Sequence, residues 1–417
     1  MIRSSQDTIA VLDIGSSKTC CTIARSGSGD DFEILGIGHQ ATSGLSKGKI
    51  LNLDKLRASV GTAIHMAEKK SRETIQSVVL SMSSPDLVSD HREVEISLPA
   101  LEVRDKDLRR LHYLAQQALI TEFPDRIPLH VIPLSYKVDA SHDIVDPTGM
   151  FGHTLSGKLH IITTSKSNLN HLVSCISRCH LDVSMVVAAP YASAHSALTE
   201  EDKQLGTTLI DMGADTTSFI LFEHGTPLFV GCIPVGGQHI TSDIARGLGI
   251  SLSNAERLKN LYGYALAIGE DENQYIRVPS ASGNVDGESI EISRRDLVQI
   301  IQARLEECFE LVMIHLKRHG YWERVGQSIV LTGGASQMLG LPSLATHILK
   351  KRVRVACPHG LKGVQSSYLT PTFAASFGLL SFTQDYLSRA QPENEEKEKL
   401  LSLESVRRLG TWLRENF

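Results

Sequence analysis

One short turn occurs twice in this chain, and its repetition restricts the fold more than any other feature. The stretch Leu209-Ile210-Asp211-Met212-Gly213-Ala214-Asp215-Thr216-Thr217-Ser218-Phe219-Ile220-Leu221-Phe222 runs from apolar residues into a carboxylate, a small-residue turn, two threonines and a second apolar run. That pattern predicts strand, tight turn, strand. Val11-Leu12-Asp13-Ile14-Gly15-Ser16-Ser17-Lys18-Thr19-Cys20-Cys21-Thr22-Ile23-Ala24 repeats it, with Asp13 matching Asp211, Gly15 matching Gly213 and Thr19 matching Thr217. Such a turn presents backbone N–H groups to an anion, and a carboxylate at its mouth suits the cation that accompanies a phosphate.

The surroundings of the two turns repeat as well. Strands are predicted at 8–14, 19–25 and 32–38 in the first half and at 207–211, 217–222 and 227–233 in the second. A helix at 54–70 follows the first set, with Leu56, Val60, Ile64 and Ala67 on one face, and Ile75 to Met82 is a further strand. Prolines at 85, 99, 124, 128, 133 and 147 crowd the next stretch, which reads as an inserted subdomain before a strand at 159–164. Ser253-x-x-Glu256 reads as a capping box. Ser293-x-x-Asp296 opens a long helix that ends at Gly320, and helices are expected at 338–350 and 372–386. Two similar halves with an insertion are the expected architecture.

Charge and cysteine usage narrow the setting. With 42 basic and 47 acidic residues the net charge is −5, which provides no general attraction to nucleic acid. The seven cysteines show neither a zinc spacing nor Cys-x-x-Cys, so buried thiols in a reducing cytosol are expected. No signal peptide and no membrane-spanning run is expected. Residues 388–404 change character, with almost no apolar content from Gln391 to Lys399, and read as a solvated linker. In the last thirteen residues Val406, Leu409, Trp412, Leu413 and Phe417 fall on one helical face, with Arg407, Arg408 and Arg414 on or beside the other. An aromatic-rich apolar face flanked by arginines suits adsorption to anionic lipid.

The chemistry follows from the residue types. Gly15 and Gly213 allow phosphate oxygens close to the main chain. Asp13 and Asp211 are the natural Mg²⁺ carboxylates, binding directly or through water. Gly333-Gly334, between a strand and a helix, permits approach to a flat group such as adenine or a ribose. Glu256 and Lys259 share a helical face, as a surface ion pair or as polar contacts to a ribose and base edge.

Taken together, Asp13-Ile14-Gly15-Ser16-Ser17-Lys18-Thr19, Asp211-Met212-Gly213-Ala214-Asp215-Thr216-Thr217, Glu256-x-x-Lys259 and Leu331-Thr332-Gly333-Gly334-Ala335-Ser336 resemble the nucleotide site of the actin, Hsp70 and sugar-kinase superfamily. Within it the chain most resembles the bacterial cell-division FtsA family, through Gly44-Leu45-Ser46-Lys47-Gly48, Leu129-His130-Val131-Ile132-Pro133, Thr241-Ser242-Asp243-Ile244-Ala245 and Ser328 to Ala335, from about residue 8 to 385 and again in the terminal helix.

The resemblance implies an α/β, actin-like two-lobed fold with duplicated ribonuclease-H-like domains. Its expected divisions are a first lobe core of 1–82 and 164–204, an inserted subdomain of 83–163, a second lobe core of 205–247 and 328–386, a small subdomain of 248–327, a linker of 387–404 and an amphipathic helix of 405–417. It implies ATP and Mg²⁺ in the cleft, contacted by Asp13, Gly15, Ser16, Ser17, Lys18, Gly213, Ala214, Asp215, Thr216, Thr217, Gly236, Gly237, Glu256, Lys259, Gly333, Gly334 and Ala335. It also implies self-association into filaments, membrane binding through 405–417, and capture of the FtsZ C-terminal tail, with Arg294 and Arg304 meeting its acidic residues. The implied place is the cytoplasmic side of the inner membrane at the septum, among other division proteins. A pilus-assembly actin homologue and a small-molecule kinase of the same superfamily are the competing readings.

One residue departs from the superfamily pattern. The second turn is usually glycine-rich, and here Asp215 follows Ala214. Like charges about 4 Å apart cost roughly 4 kcal/mol at an effective dielectric near 20. Asp215 therefore points away, or a cation or Lys18 compensates, or nucleotide binding is weakened. Hydrolysis stays open, with Asp211 the one candidate for positioning water.

Overall fold

β-Branched and apolar runs separated by small-residue turns form an antiparallel meander at the start of the chain: β1 (Thr8–Ile14), β2 (Lys18–Ser26) and β3 (Phe32–Ala41). The computed structural model describes residues 8–26, 32–266, 274–279, 289–360 and 364–389. A two-residue-per-strand hairpin, β4 (Leu45–Ser46) and β5 (Lys49–Ile50), leads into α1 (Leu53–Ser71). Asn52 caps α1 by accepting the Lys55 N–H, and the helix buries Leu56, Val60, Ala63, Ile64 and Ala67, spaced three and four apart. β6 (Ser77–Met82) lies parallel to β1.

The insertion has its own sheet and core. β7 (Val88–Ser97), α2 (Asp105–Glu122), β8 (Arg126–Val138), β9 (Ser141–Ile144) and β10 (Thr154–Ser165) give strand order β7-β10-β8-β9, with Leu111, Ala115 and Leu119 of α2 packed on it. The sequence reading gave β10 as a strand over 159–164. β10 starts five residues earlier, because pairing with β7 and β8 on both sides outweighs its polar Ser156-Gly157-Lys158 segment. Gly157 leaves the room that Leu111 fills; a Cβ there would lie 2.7 Å from the leucine Cδ2.

The chain returns through α3 (Lys166–Ser177) to β11 (Asp182–Ala188), parallel to β6, and then α4 (Ala189–Ala197) and α5 (Glu200–Gln204). The second half repeats the plan with β12 (Thr208–Met212), β13 (Thr217–Glu223) and β14 (Thr226–Ile233). Next come α6 (Gly237–Leu248), α7 (Leu252–Tyr262), the ribbon β15 (Tyr275–Pro279) with β16 (Ser289–Ser293), and α8 (Arg294–Arg318). β17 (Ser328–Thr332), α9 (Leu341–Leu349), β18 (Arg352–Val355) and α10 (Ala374–Arg389) follow. The two large sheets run β3-β2-β1-β6-β11 and β14-β13-β12-β17-β18, the same order of an antiparallel meander extended by two parallel strands. The internal repeat is therefore a repeat of topology.

Several boundaries differ from the sequence reading for local reasons. The cap of α7 is Ser251, which accepts the Asn254 N–H, so Ser253 and Glu256 form no capping box. The helix expected at 338–350 begins three residues later, as α9, after a separate 3₁₀ turn at Gly334–Gln337, because Gly340 takes φ 79° and Pro342 sits in the first turn of the helix. α10 continues to Arg389, three residues into the expected linker. Residues 405–417 lie outside the described residues.

The insertion is sewn to both lobes. Leu87 and Ile162 share a core with Ala188 and Ala194 of the first lobe and with Ile220, Phe222 and Val230 of the second. The Ser89 hydroxyl accepts the Val230 N–H at 2.7 Å and lies 3.1 Å from the Val230 carbonyl. His91 Nε2–H donates to the Leu228 carbonyl at 3.0 Å, and His160 Nδ1–H to the Pro227 carbonyl at 2.8 Å. The two imidazoles stack with centroids 4.9 Å apart. Burial pushes the His160 pKa down to about 3, so the ring is neutral in the folded chain.

A candidate nucleotide and metal site between the lobes

Both Asp-x-Gly turns close with the same hydrogen bond: Gly15 N–H to the Lys18 carbonyl and Gly213 N–H to the Thr216 carbonyl, each 2.9 Å. The second turn is tied down further. Gly237 N–H donates to the Gly213 carbonyl at 2.9 Å, and Gln238 N–H to the Ala214 carbonyl at 2.7 Å, which seats the turn against the N-terminus of α6. The two turns face a common cavity of about 500 Å³ between the lobes. Asp13, Gly15, Ser16, Ser17 and Lys18 line it from one side, and Asp211, Gly213, Ala214, Asp215, Thr216, Gly237, Glu256, Lys259, Gly333, Gly334 and Ala335 from the other.

Two expected residues stand behind this wall. Thr217 is fully buried and donates its hydroxyl to the Val235 carbonyl at 2.8 Å. Gly236 lies against the second turn, where a Cβ would come within 2.6 Å of the Gly213 and Ala214 carbonyl oxygens. Both shape the turn without facing the cavity.

The carboxylates sit at the floor, each oriented by hydroxyls that sequence reasoning missed. Asp13 accepts from Ser81 of β6 at 2.5 Å and from Ser376 of α10 at 3.0 Å. Asp211 accepts from Ser193 of α4 at 2.6 Å. The one available signal was a lone serine in an otherwise apolar segment, as in Val79-Leu80-Ser81-Met82. Burial pushes the Asp211 pKa up to about 6, with Asp13 adding to the rise and Ser193 and Lys18 opposing it. The two carboxylates thus feel each other's charge across the floor of the cavity.

Lys18 does not reach toward Asp215. Its ammonium donates to the Thr372 carbonyl at 2.9 Å and lies 3.3 Å from the centroid of the Phe373 ring. Burial lowers its pKa, against the pull of Cys20, Asp13 and Asp211.

On the far wall Lys259 donates to Glu256 at 2.7 Å, to the Thr241 hydroxyl at 2.8 Å and to the Gly237 carbonyl at 3.2 Å, and Thr241 also donates to Glu256. Burial works against the charged form of Glu256, but Lys259 and Thr241 hold its pKa below the ordinary value. This is a fixed polar network rather than a solvated ion pair. Gly333 adopts φ 85°, and a Cβ on it would sit 2.3 Å from Asp211 Oδ1. A Cβ on Gly334 would meet nothing closer than 3.8 Å, leaving that part of the wall open to a ring. Paired carboxylates, anion-presenting turns and bare glycine walls fit a nucleotide and a divalent cation.

The two partner-binding arginines differ. Arg304 is engaged with Asp243 of α6 at 2.5 Å and with Glu307. Arg294 donates to the Gln274 side chain at 2.7 Å. Both are thus engaged within the chain.

Comparisons with known proteins bear on the family and the fold. Residues 208–378 match the family model for cell division protein FtsA, and residues 85–163 match the model for the SHS2 domain inserted in FtsA. The chain is 35% identical to cell division protein FtsA of Agrobacterium fabrum over 98% of its own length and 95% of that protein's. It is 28% identical to FtsA of Escherichia coli over the full length of both. Among solved structures, the PilM–PilN type IV pilus biogenesis complex aligns with a TM-score of 0.63 at 18% identity, covering 90% of this chain and 98% of that one. MreB5 of Spiroplasma citri bound to ADP aligns with a TM-score of 0.56 at 12% identity, covering 92% and 99%. These likenesses are of fold, that of actin-like two-lobed proteins.

Proposed function

Because the chain belongs to the FtsA family of cell-division proteins, we propose that it is an adaptor that binds ATP with Mg²⁺ between its lobes, polymerises on the cytoplasmic face of the bacterial inner membrane at the septum, and ties FtsZ filaments to that membrane. The nucleotide part rests on one observation: two turns closed by the same hydrogen bond, each led by a carboxylate, line one cavity. Asp13 and Asp211 hold the metal, Gly15 to Lys18 and Gly213 to Thr216 take the phosphates, and Glu256, Lys259, Gly334 and Ala335 take the ribose and base. Ser81, Ser376 and Ser193 keep the carboxylates aimed at the cleft. A bound nucleotide with its cation supplies the charge that both lobes share. The chain uses it as a conformational ligand more than as a substrate, and Asp211 is the residue placed to position water if turnover occurs.

In this reading 1–82 with 164–204 and 205–247 with 328–386 are the lobe cores, 83–163 is the subdomain that engages neighbouring copies, and 248–327 receives the FtsZ tail at Arg294 and Arg304. Residues 387–404 tether the helix 405–417, whose Val406, Leu409, Trp412, Leu413 and Phe417 enter anionic lipid with Arg407 and Arg408 at the headgroups. Later division proteins dock on the assembled layer. The PilM likeness supports a shared fold, and at 18% identity it carries no rival function.

Isothermal calorimetry with Mg²⁺-ATP tests the site. Asp211→Ala is expected to weaken binding by about tenfold or more, since it removes one of two cation-facing carboxylates. Equal affinity would remove Asp211 from the site.

A further inference from the structure

Asp215 bridges the cleft. Its Oδ2 accepts the backbone N–H of Lys47 at 3.0 Å, in the β4–β5 hairpin of the first lobe. The hairpin is shaped for this contact: Gly44, Lys47 and Gly48 take φ 85°, 49° and 71° in turn. Next to it, the Ser83 and Thr216 hydroxyls meet across the same gap at 3.2 Å. Asn168 anchors the hairpin from behind, donating to the Gly48 carbonyl at 3.0 Å, to Ser84 at 3.1 Å and to Asp86 at 3.3 Å. Asp215 also lines the cavity beside Ala214 and Leu45. Among the described residues no ammonium or guanidinium pairs with it, and Lys18 is held at Thr372 and Phe373.

We propose that Asp215 is a latch that makes the cleft distinguish nucleoside triphosphate from diphosphate. The inference rests on the nucleotide reading of the cavity. A longer phosphate chain between the turns brings more negative charge against this carboxylate. The carboxylate then leaves the Lys47 N–H and the hairpin is released. With a diphosphate the carboxylate keeps its bond and the lobes stay joined at this point. The third phosphate is thereby read as freedom of the 44–50 hairpin, whose other anchor, Asn168, also holds Asp86 at the entry to the insertion.

Asp215→Asn separates charge from latch, because the amide oxygen still accepts the Lys47 N–H. Affinities of the full chain for Mg²⁺-ATP and Mg²⁺-ADP, measured by calorimetry on both proteins, are expected to show an ATP-to-ADP ratio about tenfold higher in the variant, the order of one like-charge contact in a half-exposed site. Hydrogen exchange of the Lys47 amide is expected to be faster with ATP than with ADP in the native chain and equal in the variant. An unchanged affinity ratio, or Lys47 exchange indifferent to the third phosphate in the native chain, overturns the latch while leaving the nucleotide site standing. Binding of neither nucleotide by either protein overturns the site and the latch together.

Discussion

Gly333 shows how a single backbone torsion protects the chemistry. Its φ of 85° and ψ of 164° belong to a region open essentially to glycine, and the missing Cβ is the space that Asp211 Oδ1 occupies. Gly333→Ala is expected to cost about 2 kcal/mol or more in urea unfolding and to displace Asp211, seen as weaker Mg²⁺-ATP binding; unaltered stability would deny the close approach. Sequence reading found the glycine pair and both aspartates, because small residues and carboxylates beside strand ends form a local pattern. It did not find Ser81, Ser193 and Ser376, since each acts across the fold and a serine among apolar residues is too weak a local mark to single it out. Asp215 was legible as an anomaly, but its partner was a main-chain N–H on the other lobe, which no pattern of side chains could reveal.

At the scale of elements, the histidines joining β7 and β10 to β14 give the seam a pH dependence. His160 is fully buried, and its pKa drops from 6.5 to about 3, with burial the main cause and His91 adding to it. The unfolded ring takes up a proton below about 6.5 and the folded ring does not, so the unfolded state binds more protons in that window and stability falls as pH falls. From about pH 7.5 to about pH 5.5 this one ring accounts for about 1.4 kcal/mol. His160→Gln is expected to reduce the pH dependence of the urea midpoint accordingly; the same slope in both proteins would show that the ring titrates normally. On α8, Arg304 is held by Asp243 of α6. Asp243→Asn is expected to release it and to tighten binding of an FtsZ tail peptide a few-fold, read by fluorescence anisotropy. Weaker or equal binding would argue that Arg304 orders α6 instead. Element types and most boundaries were visible in apolar periodicity. The exceptions, β10 and the later start of α9, were decided by pairing partners and by Gly340, which periodicity does not weigh.

For the molecule as a whole, the internal repeat was readable because two turns with matching residues imply two matching sheets, and the strand orders correspond. The proposed membrane contact is assigned to residues 405–417 alone. Deleting 405–417, or Trp412→Glu, is expected to abolish sedimentation with anionic liposomes; unchanged pelleting would place membrane contact elsewhere. The seam carries one more consequence. The outermost strand of a sheet is normally a template on which another chain can extend it. At β14 the outward main-chain groups of Leu228 and Val230 are already taken by His91 and Ser89. At the opposite border, β18 points Arg352 and Arg354 outward, the second paired with Asp202. The β14 rim of this sheet is thus already spent on the insertion, and a strand added there would have to displace the His91 and Ser89 contacts.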